Sequence, residues 1–157
     1  MRLGFSVHIV ILLCALLVGV VAASAQEAAE TIIKQGPAVE GDLYLAGRTV
    51  EIATEIQGDL VVAGQHVGIG RTVSGDVIAA GEVIRLGAPV EDDVRAAGRL
   101  ITLSATVGGH IAAAGQQISF AADAAIGDWA WLAGQLVQVL GTVGGDLSAA
   151  GEEVVIG

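Results

Sequence analysis

The sequence predicts an all-β fold: a single-stranded parallel β-helix solenoid of about seven coils, each 17–18 residues long. Two observations predict it. Glycine returns at a fixed interval, and between the glycines the apolar residues alternate in short runs. A third observation excludes the ordinary alternatives. With 23 glycines, 2 prolines and only 3% aromatic residues in 157, the chain lacks the bulk of a mixed globular core and carries too much glycine for helices.

The interval is read from Gly41, Gly58, Gly75, then Asp92 in the same place, then Gly109, Gly127 and Gly145. The first four steps are 17 residues and the last two 18, so the period tolerates an inserted residue. A second series, Gly47, Gly64, Gly81, Gly98, Gly115, Gly134 and Gly151, follows the first. These glycines are expected at corners that need a positive φ or a close approach of backbone.

Within a unit, Leu60 and Val62 share one parity, Val67 and Ile69 another, and Val73 closes the unit. Period two over short segments broken by glycine predicts three short strands joined by sharp corners. Stacked in register, the units give inward columns of β-branched and aliphatic residues. One column is Val50, Val67, Ile84, Ile101, Ile118, Val137 and Val154, and its neighbour is Ile52, Ile69, Leu86, Leu103, Phe120, Val139 and Ile156. A third runs Leu43, Leu60, Val77, Val94, Ile111, Trp129 and Leu147. A fourth holds Ile56, Val73, Val90, Val107 and Val143, with either Ala125 or Ile126 in the longer unit. The last narrows from Leu45 and Val62 to Ala79, Ala96 and Ala113, widens at Leu132 and narrows again at Ala149.

Residues 1–25 read separately. Arg2, an apolar run and the small residues Ala23, Ser24 and Ala25 predict a secretory signal peptide cut after Ala25, the alternative being an uncleaved anchor. Residues 26–38 read as a lead-in or partial cap, and residues 39–157 as the β-helix with its last coil incomplete. The single cysteine, Cys14, lies in the leader, so the mature chain has no thiol for a disulfide, a nucleophile or a metal cage. No later segment reads as a transmembrane helix. The net charge of −10 becomes −11 without Arg2, from 17 acids and 6 bases, which disfavours nucleic acid and anionic lipid as generic partners.

The units "VEGDLYLAGRTVEI", "IQGDLVVAGQHVGI", "VSGDVIAAGEVIRL", "VGGHIAAAGQQISF" and "VGGDLSAAGEEVVI" resemble the bactofilin family of polymer-forming cytoskeletal proteins, over residues 39–157. The resemblance implies a right-handed parallel β-helix that polymerises through its ends without a nucleotide, and a scaffold that localises partners or supports envelope organisation. The leader departs from the family's cytosolic pattern. It points to an exported protein, periplasmic or associated with the membrane of the cell envelope.

No catalytic, cofactor-binding or metal site is expected. The polar column Asp42, Asp59, Asp76, Asp93, His110, Asp128 and Asp146 could be a cation ladder, but one oxygen ligand per coil does not enclose an ion. The better reading has each aspartate accept a backbone hydrogen bond at its corner. His66 reads as a surface residue and His110 as a substitution in that column, while Glu91, Asp92 and Asp93, like Glu152 and Glu153, read as solvated acids. The glycines lack the strand-to-helix context and the lysine of a phosphate-binding loop.

The outside offers more. Tyr44, Val61, Ile78, Arg95, Ala112, Trp131 and Ser148 form an outward column beside Ala46, Ala63, Ala80, Ala97, Ala114, Ala133 and Ala150. Tyr44, Val61, Ile78 and Trp131 are the candidate lateral face, with Trp131 inward instead if the longer unit changes parity. Val154 and Ile156 are the candidate end junction, where unpaired backbone could continue its sheet into another copy. The expectation is a non-enzymatic, self-assembling envelope scaffold, a homopolymer that recruits envelope or membrane proteins and binds no nucleic acid or nucleotide. The alternatives are a non-polymerising surface adhesin or binding module, and a β-helical acyltransferase.

Overall fold

A computed structural model describes residues 31–157; the predicted leader and residues 26–30 of the lead-in lie outside the described residues. Strand β1 (Thr31–Lys34) comes first, then β2 (Leu43–Ala46) and β3 (Thr49–Ile52). Three ten-residue strands follow: β4 (Leu60–Ile69), β5 (Val77–Leu86) and β6 (Val94–Leu103). Then come β7 (Thr106–Val107), β8 (Ile111–Phe120), β9 (Ala125–Ile126), β10 (Ala130–Ala133) and β11 (Leu136–Val139). The chain closes with β12 (Thr142–Val143), β13 (Leu147–Ala150) and β14 (Glu153–Ile156). Every pairing is parallel, and the described chain is an all-β parallel solenoid of about seven turns.

Each coil has three sides. The first carries Leu60 to Ala63 and its equivalents, the second His66 to Ile69 and its equivalents, and these two belong to one sheet. The third is a narrow ladder through Val39, Ile56, Val73, Val90 and Val107, continued by β7, β9 and β12. Alternation predicts a break between the first and second sides. In β4, β5, β6 and β8 the strand instead bends without ending, and the register passes from Gly64↔Gly81 to His66↔Val83 without a pair at Gln65. That bend switches inward parity from Leu60 and Val62 to Val67 and Ile69.

The interior is the set of aligned columns. Val50, Val67, Ile84, Ile101, Ile118 and Val137 are buried, as are Ile52, Ile69, Leu86, Leu103, Phe120 and Val139. Volumes compensate within a coil: Ala79, Ala96 and Ala113 on the first side accompany Leu86, Leu103 and Phe120 on the second, whereas Val62 and Leu132 accompany Ile69 and Val139. Close packing requires such compensation, because a column of large residues on every side would not fit one cross-section. Each buried aliphatic side chain contributes about 1.5–3 kcal/mol relative to exposure. In the coil of β13 and β14 the same columns are less covered, with Val154 39% and Ile156 62% exposed. At the other end β1 lies on β3, so that Ile32 extends one column while Lys34 stands over Ile52 in the next.

Three expectations need correction, and all three arise in the longer unit. Between the coils of β8 and β10 the register advances by 19 residues, as in Ile111↔Ala130, and then returns to 17, as in Ala130↔Leu147. The two extra residues sit together at one corner, since Leu103↔Phe120 keeps the short spacing and Thr106↔Ala125 already has the long one. They are accommodated in a turn at residues 121–124, closed by the Ala124 N–H donating to the Ala121 carbonyl at 3.0 Å. Hence Ala130, not Trp129, occupies the inward column, fully buried. Asp128, not Gly127, stands at the corner after Gly109: its N–H donates to the Gly109 carbonyl and its own carbonyl accepts from Gly145. Trp129, not Asp128, therefore follows His110 in the polar column. The choice between Ala125 and Ile126 falls to Ile126, which is 3% exposed.

Gly64, Gly81, Gly98, Gly115, Gly134 and Gly151 of the second series act by close approach. None has a positive φ, which among the described residues belongs to Gly36 (116°) and Gly41 (98°). A Cβ on Gly81 would fall on the carbonyl oxygen of Gly64 in the coil before it. The bend brings backbone onto backbone there, and only hydrogen fits.

Candidate functional site

The corner leading into the first side carries a ladder of side chains linked to backbone. The Asp42 Oδ1 accepts the Asp59 N–H at 3.0 Å, Asp59 Oδ1 that of Asp76 at 2.9 Å, Asp76 Oδ1 that of Asp93 at 3.1 Å, and Asp93 Oδ1 that of His110 at 3.0 Å. Each carboxylate satisfies an amide that the turn leaves without a strand partner, the capping chemistry for which aspartate is suited. The structure thus supports the backbone-acceptor reading of this column over its four links.

At its centre the ladder acquires charge partners. Arg95 Nη1 lies 3.1 Å from Asp76 Oδ2 and Nη2 3.6 Å from Asp93 Oδ2, so one guanidinium bridges two rungs. His110 places Nδ1 2.8 Å from Asp93 Oδ1 and stacks on Trp129, ring centroids 4.1 Å apart and planes 14° from parallel. Asp76, Asp92 and Asp93 bring carboxylate oxygens within 4.8 Å of one another, a spacing open to a cation. Arg95 already stands between Asp76 and Asp93, and an ion would have to displace it. The sequence singled out the aspartates and His110 but gave no sign of the stack, because the two extra residues obscured which side chain follows His110.

Beside this ladder, two residues along each strand and on the same outer surface, runs Tyr44, Val61, Ile78, Arg95, Ala112, Trp131 and Ser148, in register throughout. Tyr44 is 68% exposed, while Val61, Ile78 and Trp131 are half-buried. Tyr44, Leu45, Ala46, Val61 and Ala63 line a shallow hollow at the N-terminal end of this surface. His66 is exposed on the second side in register with Thr49 and Val83, far along the strand from the ladder. Glu152 and Glu153 are exposed on the last coil beside the candidate junction residues Val154 and Ile156. No helix of the described residues is long and apolar enough to cross a membrane.

Fold and surface define a parallel β-solenoid whose organised features lie on its outside and at its ends. Compared with known proteins, the chain matches no family model, no curated protein and no solved structure.

Proposed function

We propose that this chain is a bactofilin-like, non-enzymatic scaffold of the cell envelope that self-assembles by stacking coil on coil. The observation that carries the reading is the coil-on-coil register, in which parallel backbone pairing and matching apolar columns repeat from one coil to the next. Among the described residues strand β14 pairs with β11 alone and β13 with β10 alone, and Val154 and Ile156 of the inward columns are exposed there. Another copy would supply the missing hydrogen-bond partners and cover those side chains, two sources of affinity that act at one place. Its role would be geometric, with the coil repeat fixing spacing and the aligned core making each protomer a rigid segment. The predicted leader supports placing that scaffold outside the cytoplasm.

The test is the state of the purified protein as a function of concentration. Filaments in electron micrographs and a sedimentation coefficient that climbs with concentration are expected. A single monomeric species over a hundredfold range would remove the assembly reading and favour a solitary binding module.

A further inference from the structure

We infer that the outer surface of the first side docks a positively charged amphipathic segment of a partner protein. The inference is independent of end-to-end stacking, since this surface is lateral to both ends. It rests on the adjacency of two columns, one largely apolar but interrupted by Arg95 and one largely acidic, and on the uneven distribution of counter-charge along them.

At the midpoint of the surface part of the acidic charge already has a partner, because Arg95 bridges Asp76 and Asp93 and His110 meets Asp93. Both ends differ. Among the described residues no cation reaches Asp42 or Asp59 beside Tyr44 and Val61, nor Asp128 or Asp146 beside Trp129 and Trp131. Each end therefore pairs an apolar anchor with two carboxylates that no cation of the described residues reaches. At the upper end one ring face of Trp129 is covered by His110, and the ring is fixed by that stack and by the His110 contact to Asp93. Trp129 stays 38% exposed, and the next coil places Asp146 above it, since the Ala130 N–H donates to the Asp146 carbonyl. A fixed indole with Asp146 in the next coil suits an ammonium or guanidinium group, which gains from the ring and from the acid together.

Charge complementarity selects the occupant. A second copy would bring another net −10 against this acidic edge, and an anionic lipid surface would be repelled likewise. A basic segment would be attracted. Tyr44 and Trp131 are five coil spacings apart, about 24 Å at the usual strand separation. An amphipathic helix of about sixteen residues spans that length, laying its apolar face on Val61, Ile78 and Trp131 and its lysines or arginines toward the acids.

The experiment titrates an 18-residue Lys/Leu amphipathic peptide, and its Glu/Leu counterpart, into the protein while following tryptophan emission. Trp129 and Trp131 are the only two tryptophans in the chain, so the signal comes from the surface itself. The Lys/Leu peptide should shift the emission saturably, and the Glu/Leu peptide should leave it unchanged. Asp128→Asn with Asp146→Asn should weaken binding about tenfold, whereas Glu55→Gln with Asp123→Asn, the same charge change on another corner, should stay within about twofold. Val61→Ser with Ile78→Ser should weaken binding without altering the peptide's salt dependence. Equal losses in the two charge variants would reduce the effect to net charge and overturn the inference. So would equal binding of the Glu/Leu peptide, or an emission shift that follows protein concentration alone and assigns the surface to a second copy.

Discussion

One oxygen of Asp93 serves His110 twice: Oδ1 accepts the His110 backbone N–H at 3.0 Å and lies 2.8 Å from its Nδ1. That carboxylate also meets Arg95 through Oδ2, so it is the most connected rung of the ladder and the one from which the stacked Trp129 is positioned.

Replacing Asp93 with alanine should therefore destabilise the protein by about 1–3 kcal/mol, the range for stranding partners of a partly buried acceptor. Asp42→Ala, which removes one exposed hydrogen bond at the first coil, should cost less than about 1 kcal/mol. Urea unfolding of the two variants checks the order, and equal midpoints would refute the special position of Asp93. Tryptophan emission should change in the Asp93 variant alone.

Glycine tests separate close approach from simple turn geometry. Gly81→Ala would place a methyl group on the Gly64 carbonyl and should cost about 2 kcal/mol through backbone displacement. Gly70→Ala meets nothing nearer than the Ile52 carbonyl at 3.5 Å, and its loss of unfolded-state freedom should leave stability equal or raised by about 0.5 kcal/mol. Thermal midpoints moving in the same direction by the same amount would contradict this distinction.

Ile84 sits at zero exposure between Val67 and Ile101 in its column. Ile84→Asp should unfold the neighbouring coils, because an unpaired carboxylate would replace apolar packing. Ile84→Val should cost only about 0.5–1.5 kcal/mol. Circular dichroism of the strand signal distinguishes them, and a folded Ile84→Asp protein with the parent's urea midpoint would reject the column.

Deleting Ala122 and Asp123 should be tolerated. The turn at residues 121–124 confines both extra residues to one corner, and register on either side is set by separate ladders. Stability within about 1 kcal/mol of the parent is expected, since shortening a surface loop changes its closure entropy little. A loss of the 3-stranded ladder, seen as faster amide exchange at Val107 and Ile126, would show instead that the turn supports the third side.

Ile156→Lys should leave the protomer folded, because the side chain is already 62% exposed, yet reduce assembly by charging the open column. Parent-like thermal unfolding with filaments lost is the expected pair of results. Filaments forming at an unchanged critical concentration would place the junction elsewhere.

Most of the fold was legible in the sequence, for a physical reason specific to solenoids. Parallel in-register stacking sets each interior residue against its own equivalent, so a 17-residue period and a two-residue alternation together name the columns, from Val50 to Val137 and from Ile52 to Val139. The aspartate column was legible too, since aspartate at a recurring corner has few uses other than holding an amide. Legibility failed where the repeat lengthened. An extra pair of residues can be absorbed at any corner, and apolar pattern alone lets either Trp129 or Ala130 turn inward.

The sequence by itself thus determined the architecture, the composition of the core and the acidic corner, all of which follow from local periodicity. Tertiary structure alone decided that the Ile111 N–H meets the Trp129 carbonyl, which sends Ala130 into the core and leaves Trp129 outside on His110. It alone decided that Arg95 bridges two rungs in the middle of the ladder. Those outcomes depend on hydrogen-bond register and side-chain reach between coils, quantities that exist only once the coils are stacked.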